Sequence, residues 1–216
     1  MRHLFAVLLM ASAAPAAAEV VDRIAVSVAG QVVTLSDIRR HIRIMAFLER
    51  AQPEYGQARL RQTAELLIDQ ALVRREAELS RYPAPSIAEI EQAVNEFASS
   101  LGLNRQEMFA QALNYGFSEQ EMRDLAAWRL TLIRFIDYRF RPSVQVSEAD
   151  ISRYYGEVFL PRYRARSPEA AAPSLVSVRE RILDILNTEL STQASQVWLE
   201  QTRKQTRIRY FEEAFK

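Results

Sequence analysis

Apolar and polar positions alternate at the start of the chain, and the period then lengthens. Ile24, Val26 and Val28 alternate with Ala25 and Ser27, the period-2 pattern of a half-buried strand. Ala29-Gly30 reads as a two-residue turn, because glycine tolerates the positive φ that tight hairpin turns require. Val32 and Val33 resume the strand, and at Thr34 the helical period begins. Residues 20–48 therefore predict a β-hairpin running straight into an amphipathic helix. An isolated hairpin is barely stable in water, so this one needs a cover and a further strand.

One helix-start signal recurs along the chain. Thr34/Asp37, Ser86/Glu89, Asn104/Glu107, Ser118/Glu121 and Ser147/Asp150 each place a capping side chain three residues before an acid. The first residue can accept from the amide three positions on, and the acid sits at the positive end of the helix. Four of these sites add an apolar pair across the cap: Val33 with Ile38, Leu103 with Met108, Phe117 with Met122, and Val146 with Ile151.

The helical stripes follow these starts. The first helix, about 35–50, carries Leu35, Ile38, Ile42, Met45 and Leu48, with Ile44 and Phe47 beside them. So wide a face predicts more than one neighbour. The second, about 55–79, has Leu60, Ala64, Leu67, Ile68, Ala71 and Leu72. The third, 86–99, presents Ile87, Ile90, Val94 and Phe97. A short fourth ends at Leu113, with Tyr115-Gly116 as a glycine cap. The fifth, 118–140, presents Met122, Leu125, Ala126, Leu132, Ile133 and Ile136. Every proline after residue 18 falls between these helices.

After an extended Val144-Gln145-Val146, a sixth helix carries Tyr154, Tyr155, Val158 and Phe159, weakened near its end by Gly156. Residues 160–173 read LPRYRARSPEAAAP, a proline- and arginine-rich linker. A long helix over 177–204 then repeats Val178, Ile182, Ile185, Leu186, Leu190, Ala194, Val197 and Trp198. At ~1.5 Å per residue it spans on the order of 40 Å. Residues 206–211 alternate as a strand, and a lone strand must pair. The expectation is a mainly α protein whose N-terminal hairpin and C-terminal strand form one small antiparallel sheet.

Residues 1–18 are a separate matter. A positive start, a compact apolar run from Leu4 to Met10 and Ala16-Ala17-Ala18 give the pattern of a cleavable secretory signal peptide. The run is too short to span a bilayer, and no later segment is apolar enough for stable membrane insertion. Residues 19–216 fit one domain or one and a half. There is no cysteine, hence no disulfide, thiol nucleophile or thiolate metal site. The net charge of +1 argues against a nucleic-acid binder.

The order of parts resembles the SurA-type periplasmic chaperones, exported relatives of the parvulin peptidyl-prolyl isomerases. The carrying stretches are VDRIAVSVAGQVVTLSDI, LLIDQALVRREAE, YGFSEQEMR and VQVSEADISRYY. They place a SurA N-terminal-like helical domain at 19–159 and the returning C-terminal helix and strand of that family at 177–216. In the family one or two parvulin domains usually lie between the two. Here residues 160–176 hold that position and cannot contain a domain. The resemblance implies an ATP-independent periplasmic holdase that binds unfolded envelope or outer-membrane protein precursors, with no cofactor and no enzymatic role. Residual isomerase activity, or a structural subunit with one fixed partner, are the alternatives. Exchange of the C-terminal helix between two chains would make a homodimer.

Few residues carry covalent chemistry. His41 is the one histidine after residue 18, and the plain reading is an exposed or half-buried helix residue. Asp69 and Glu76 share a helix face near Arg74 and Arg75, the arrangement of solvated ion pairs. No glycine-rich phosphate loop and no GxSxG is present. The basic segment 162–166 reads as a solvated linker. The candidate client-binding residues are aromatic: Phe109, Tyr115, Phe117, Tyr154, Tyr155 and Tyr163. Phe117 also fits a helix staple, and Phe109 a core position.

Overall fold

The computed structural model of the protein describes residues 22–216. The signal peptide expected at residues 1–18 lies outside the described residues. The protein is mainly helical, with a small three-stranded antiparallel sheet.

The hairpin forms as its pattern predicts. Strands β1 (Ile24–Val28) and β2 (Gln31–Thr34) are joined by Ala29 and Gly30, at φ 52° and 84°. Two successive left-handed residues make the type I′ turn that matches strand twist. The pairing register shifts between Ile24 and Val26. This irregularity turns Ala25 into the core and leaves Ile24 45% exposed, so the expected inward role of Ile24 is corrected. A bulge reverses the facing of the residues beyond it, and strict alternation cannot encode one.

All five capping boxes are closed. They start α1 (Leu35–Leu48), α3 (Ile87–Ser100), α4 (Arg105–Asn114), α5 (Glu119–Arg139) and α6 (Glu148–Tyr154). Helix α2 (Gln57–Leu79) begins at Gly56 without a side-chain cap. At the end of α4, Gly116 takes φ 74°, and the Phe117 amide bonds back to the Ala112 carbonyl. This is the left-handed glycine cap expected there.

Three buried clusters divide the helices, and α1, α2 and α5 are each shared between two. The first joins the sheet to Leu35, Ile38 and Ile42 of α1 and to Leu60, Ala64, Ile68 and Leu72 of α2. The second joins Ile44 and Phe47 of α1 to α3, α4 and the start of α5. The third joins Val73 and Ala77 of α2 to Trp128 and Phe135 of α5 and to Phe140, with Trp198 packed against them. The wide face of α1 thus meets more than one neighbour, as its width predicts. Ile87 differs from expectation and stays 79% exposed: it is the first residue of α3, whose packed stretch begins one turn later at Ile90. Ile133 is likewise exposed, and Phe135 takes the buried place on α5.

The expected linker from residue 160 is corrected. α6 runs through a π-helical turn (Tyr155–Phe159) into α7 (Leu160–Arg166), and the true link begins at Ser167. In the widened turn the Leu160 amide bonds to the Tyr155 carbonyl, five residues back. That geometry loosens the ladder where Gly156 and Pro161 would otherwise break an α-helix. Pro161 therefore lies inside a helical run and not between helices. Tyr155, Phe159 and Tyr163 stack at four-residue steps, with centroids 5.8 and 6.1 Å apart. Their periodicity is the signal that the proline- and arginine-rich composition hides.

Helix α8 (Leu175–Gln205) crosses α2, α5 and α6. Its long apolar stripe is only partly covered: Ile182 is buried, whereas Leu190 and Val197 are exposed. Strand β3 (Ile208–Tyr210) then pairs antiparallel with β1, giving the order β2-β1-β3. The ends of the described chain meet in one sheet, as predicted. α1 and α2 lie on the hairpin, together with Ala214 and Phe215 from a terminal 3₁₀ turn (Glu212–Phe215), while α8 reaches this cluster through Leu199. Polar ties fix the junction: Arg203 of α8 pairs with Glu65 and Asp69 of α2, and the Tyr210 hydroxyl donates to Glu65 at 2.8 Å.

Candidate functional site

A groove of about 620 Å³ runs between β2, α1, α2 and α5. β2 contributes Gln31, Val32 and Val33, and α1 contributes Asp37, Arg40, His41 and Ile44. Leu67, Gln70, Ala71 and Arg74 come from α2. Leu125, Trp128 and Thr131 come from α5, and Tyr82, Pro83 and Ala84 of the α2–α3 connection also line it. The volume falls within the range of about 300–1,000 Å³ typical of ligand sites. No residue of α8 lines it. The concavity lies among the earlier helices and the hairpin.

Its walls alternate apolar surface with polar groups that are mostly matched internally. Arg40 pairs with Asp37 and approaches Glu121 at 3.8 Å. Arg134 pairs with Glu89 and donates to the Pro83 carbonyl at 3.2 Å. Glu89 also accepts from the Ser86 side chain and amide at its cap, and these bonds with Arg134 pull its carboxyl down to about 2. Arg74 has no ion-pair partner among the described residues; its guanidinium lies over the Trp128 ring, 4.8 Å from the centroid. Burial is the largest influence on Arg74 and lowers its proton affinity, against the opposing pull of Asp124 and Glu78.

His41 is half-buried in the groove wall. Burial, followed by the charges of Arg59, Arg40 and Arg129, lowers its pKa from 6.5 to about 4. The imidazole is therefore neutral at ordinary pH and offers one donor and one acceptor. The charges that shift it are those of arginines, and among the described residues no carboxylate is hydrogen-bonded to the ring in the way that orients a catalytic base. Among the described residues, no group of three or more His, Asp or Glu side chains is placed to hold a metal ion.

Asp69 and Glu76 do not pair with Arg74 and Arg75. Asp69 pairs with Arg203, and Glu76 accepts from Arg139 at 2.6 Å. Both carboxylates tie α2 to its neighbours. Asp69 is raised above the usual range, burial outweighing Arg203.

The six aromatic candidates separate into two groups, and none lines the groove. Phe117 is 3% exposed and packs edge-on against Phe47 at 5.3 Å, a core position. Tyr115 meets the same ring at 5.3 Å and lines a second cavity of about 360 Å³ with Phe47, Leu101 and Leu103. Phe109 is half-buried beneath the Arg105 guanidinium. Tyr154, Tyr155 and Tyr163 lie on the α6–α7 run. The Tyr155 hydroxyl donates to the Pro173 carbonyl at 2.8 Å and that of Tyr163 to the Ala171 carbonyl at 3.3 Å. These two pin the returning chain. The groove residues Val32, His41, Leu67, Arg74 and Trp128 come from four elements, and no local pattern marks them as a set.

No protein-family model matches the chain, and a comparison with curated proteins likewise finds no match.

Proposed function

We propose that the protein is an ATP-independent holdase of the SurA type, exported to the periplasm, that binds unfolded envelope proteins, including outer-membrane β-barrel precursors. The observation that carries this reading is the open groove between β2, α1, α2 and α5. Apolar side chains in it are interrupted by a neutral histidine and by arginines of which two, Arg40 and Arg134, are paired with carboxylates. Such a surface holds an unfolded chain through many weak, exchangeable contacts, while its polar interruptions limit self-association. Barrel precursors, with alternating apolar positions, suit it. Binding lowers the concentration of free chain available to aggregate.

The likeness to SurA-type chaperones supports the same reading through the order of hairpin, capped helices, returning helix and final strand. Export rests on the leader pattern of residues 1–18. The test is light scattering of an unfolded outer-membrane precursor diluted from urea. Suppression at a modest molar excess of protein is expected, and its absence overturns the proposal. Acceleration of a proline-limited refolding phase in proportion to protein concentration would favour the isomerase alternative instead.

A further inference from the structure

β2 is an edge strand, and its open side faces the groove. Gln31, Val32 and Val33 all line the cavity. Successive side chains of a strand point to opposite faces, so a cavity touching three in a row runs along the strand's edge. The hydrogen-bonding phase follows from the turn. Val28 and Gln31 flank the two-residue loop and form a bonded pair, so the next pair, Ser27 with Val32, is a non-bonded one. The N–H and C=O of Val32 therefore point away from β1. They have no hydrogen-bond partner among the described residues. The next outward amide, that of Thr34, is taken by Asp37 at 3.0 Å. One free donor–acceptor pair remains, beside a side chain 53% exposed.

We infer that this edge takes up an extended, uncharged segment of a partner polypeptide by strand addition. The occupant's backbone supplies the complementary N–H and C=O opposite Val32. Its side chains meet Ile44, Leu67, Leu125 and Trp128. Charge matching selects an uncharged segment: Arg40 is satisfied by Asp37, Arg134 by Glu89, and Arg74 lies over Trp128 with Asp124 and Glu78 nearby. A charged residue entering the groove loses its hydration and meets a lining whose three arginines and four carboxylates nearly balance, so the groove offers little net charge in exchange. The single open bonding window keeps the contact short and exchangeable. The inference rests on the holdase reading and names the chemistry by which its groove would hold a client.

Trp128 reports occupancy once Trp198 is replaced by phenylalanine, since the chain has two tryptophans. A soluble peptide of alternating valine and threonine is titrated against this Trp198→Phe protein. The expected result is a saturable change in Trp128 emission. The same peptide with methylated backbone nitrogens should bind about tenfold more weakly, the loss of roughly one hydrogen bond. Val32→Pro should weaken the unmodified peptide similarly, because its N–H lies outside the β1 ladder. A central aspartate or lysine in the peptide should also reduce affinity. Equal binding of the methylated peptide overturns strand addition, and this arm needs no substitution at the strand edge itself. A wild-type dimer abolished by Val32→Pro also overturns it, by assigning the edge to a second copy. If precursor aggregation is suppressed but the peptide leaves Trp128 unchanged, strand addition fails and the holdase reading stands. If suppression itself is absent, the holdase reading fails, and the titration still decides the edge.

Discussion

Replacing Phe215 with alanine tests how firmly the C-terminal segment closes the sheet. Phe215 is 1% exposed and belongs to the first cluster, against residues of β1 and α2. The Arg61 guanidinium lies over its ring at 4.9 Å, and Arg61 also pairs with Glu212 in the same turn. A buried aromatic removes about 150–250 Å² from water. At about 25 cal/mol per Å² this gives roughly 4–6 kcal/mol as an upper bound. Alanine retains part of that burial, and a site near the chain end can partly collapse, so the expected loss is about 3 kcal/mol, the low end for Phe→Ala. For a domain worth about 5–15 kcal/mol this is a large fraction. Urea unfolding should show the midpoint falling by about 1–2 M at an unchanged slope. Phe211→Ala is the control: Phe211 is half-buried, with the Arg209 guanidinium over its ring, and should cost about half as much. A loss below about 1 kcal/mol for Phe215→Ala would refute the view that this residue completes the core beneath the sheet.

The remaining predictions concern single groups. His41 has a folded pKa of about 4 against an unfolded value near 6.5. The unfolded chain therefore binds more protons between these values, and stability falls as pH drops from about 6.5 to 4, by up to roughly 3 kcal/mol. His41→Gln should flatten that part of the stability–pH curve, and an unchanged slope would exclude the burial assigned to the ring. Ala29 holds a left-handed φ of 52° in the turn. Ala29→Asn should raise stability by about 0.5–1 kcal/mol in thermal unfolding, and destabilisation would contradict the turn geometry. Ser191 of α8 is 1% exposed and its hydroxyl has no partner among the described residues. Ser191→Ala should stabilise by about 1 kcal/mol, and a loss of that size would mean the hydroxyl is bonded.

What the sequence makes legible here is local. A capping box needs four consecutive residues, so Thr34, Ser86, Asn104, Ser118 and Ser147 mark their helix starts without tertiary information. Ala29-Gly30 announces its turn for the same reason. The pairing of the final strand with the hairpin was legible by elimination, since an isolated strand leaves its backbone unsatisfied. The bulge that buries Ala25 in place of Ile24 depends on pairing register, which alternation does not specify. Pro161 reads as a helix breaker because the widened turn that accommodates it has no simple sequence signature, although the spacing of Tyr155, Phe159 and Tyr163 could have revealed the helix. The groove is the least legible feature. Arg74 meets Trp128 only because α2 and α5 pack side by side. His41 looks like an ordinary surface residue until Arg59 and Arg129 are brought to it.

The most direct measurement is amide hydrogen exchange of the protein with and without a saturating unfolded outer-membrane precursor. Val32 has a free, outward amide, and the walls around Ile44, Leu67 and Trp128 line the same groove. Client binding should slow exchange at Val32 and across the groove-facing parts of α1, α2 and α5, leaving the Tyr155–Tyr163 ladder unchanged. Protection confined to α6, α7 or the exposed stripe of α8, with Val32 exchanging freely, would place the client elsewhere and contradict the assignment of the groove.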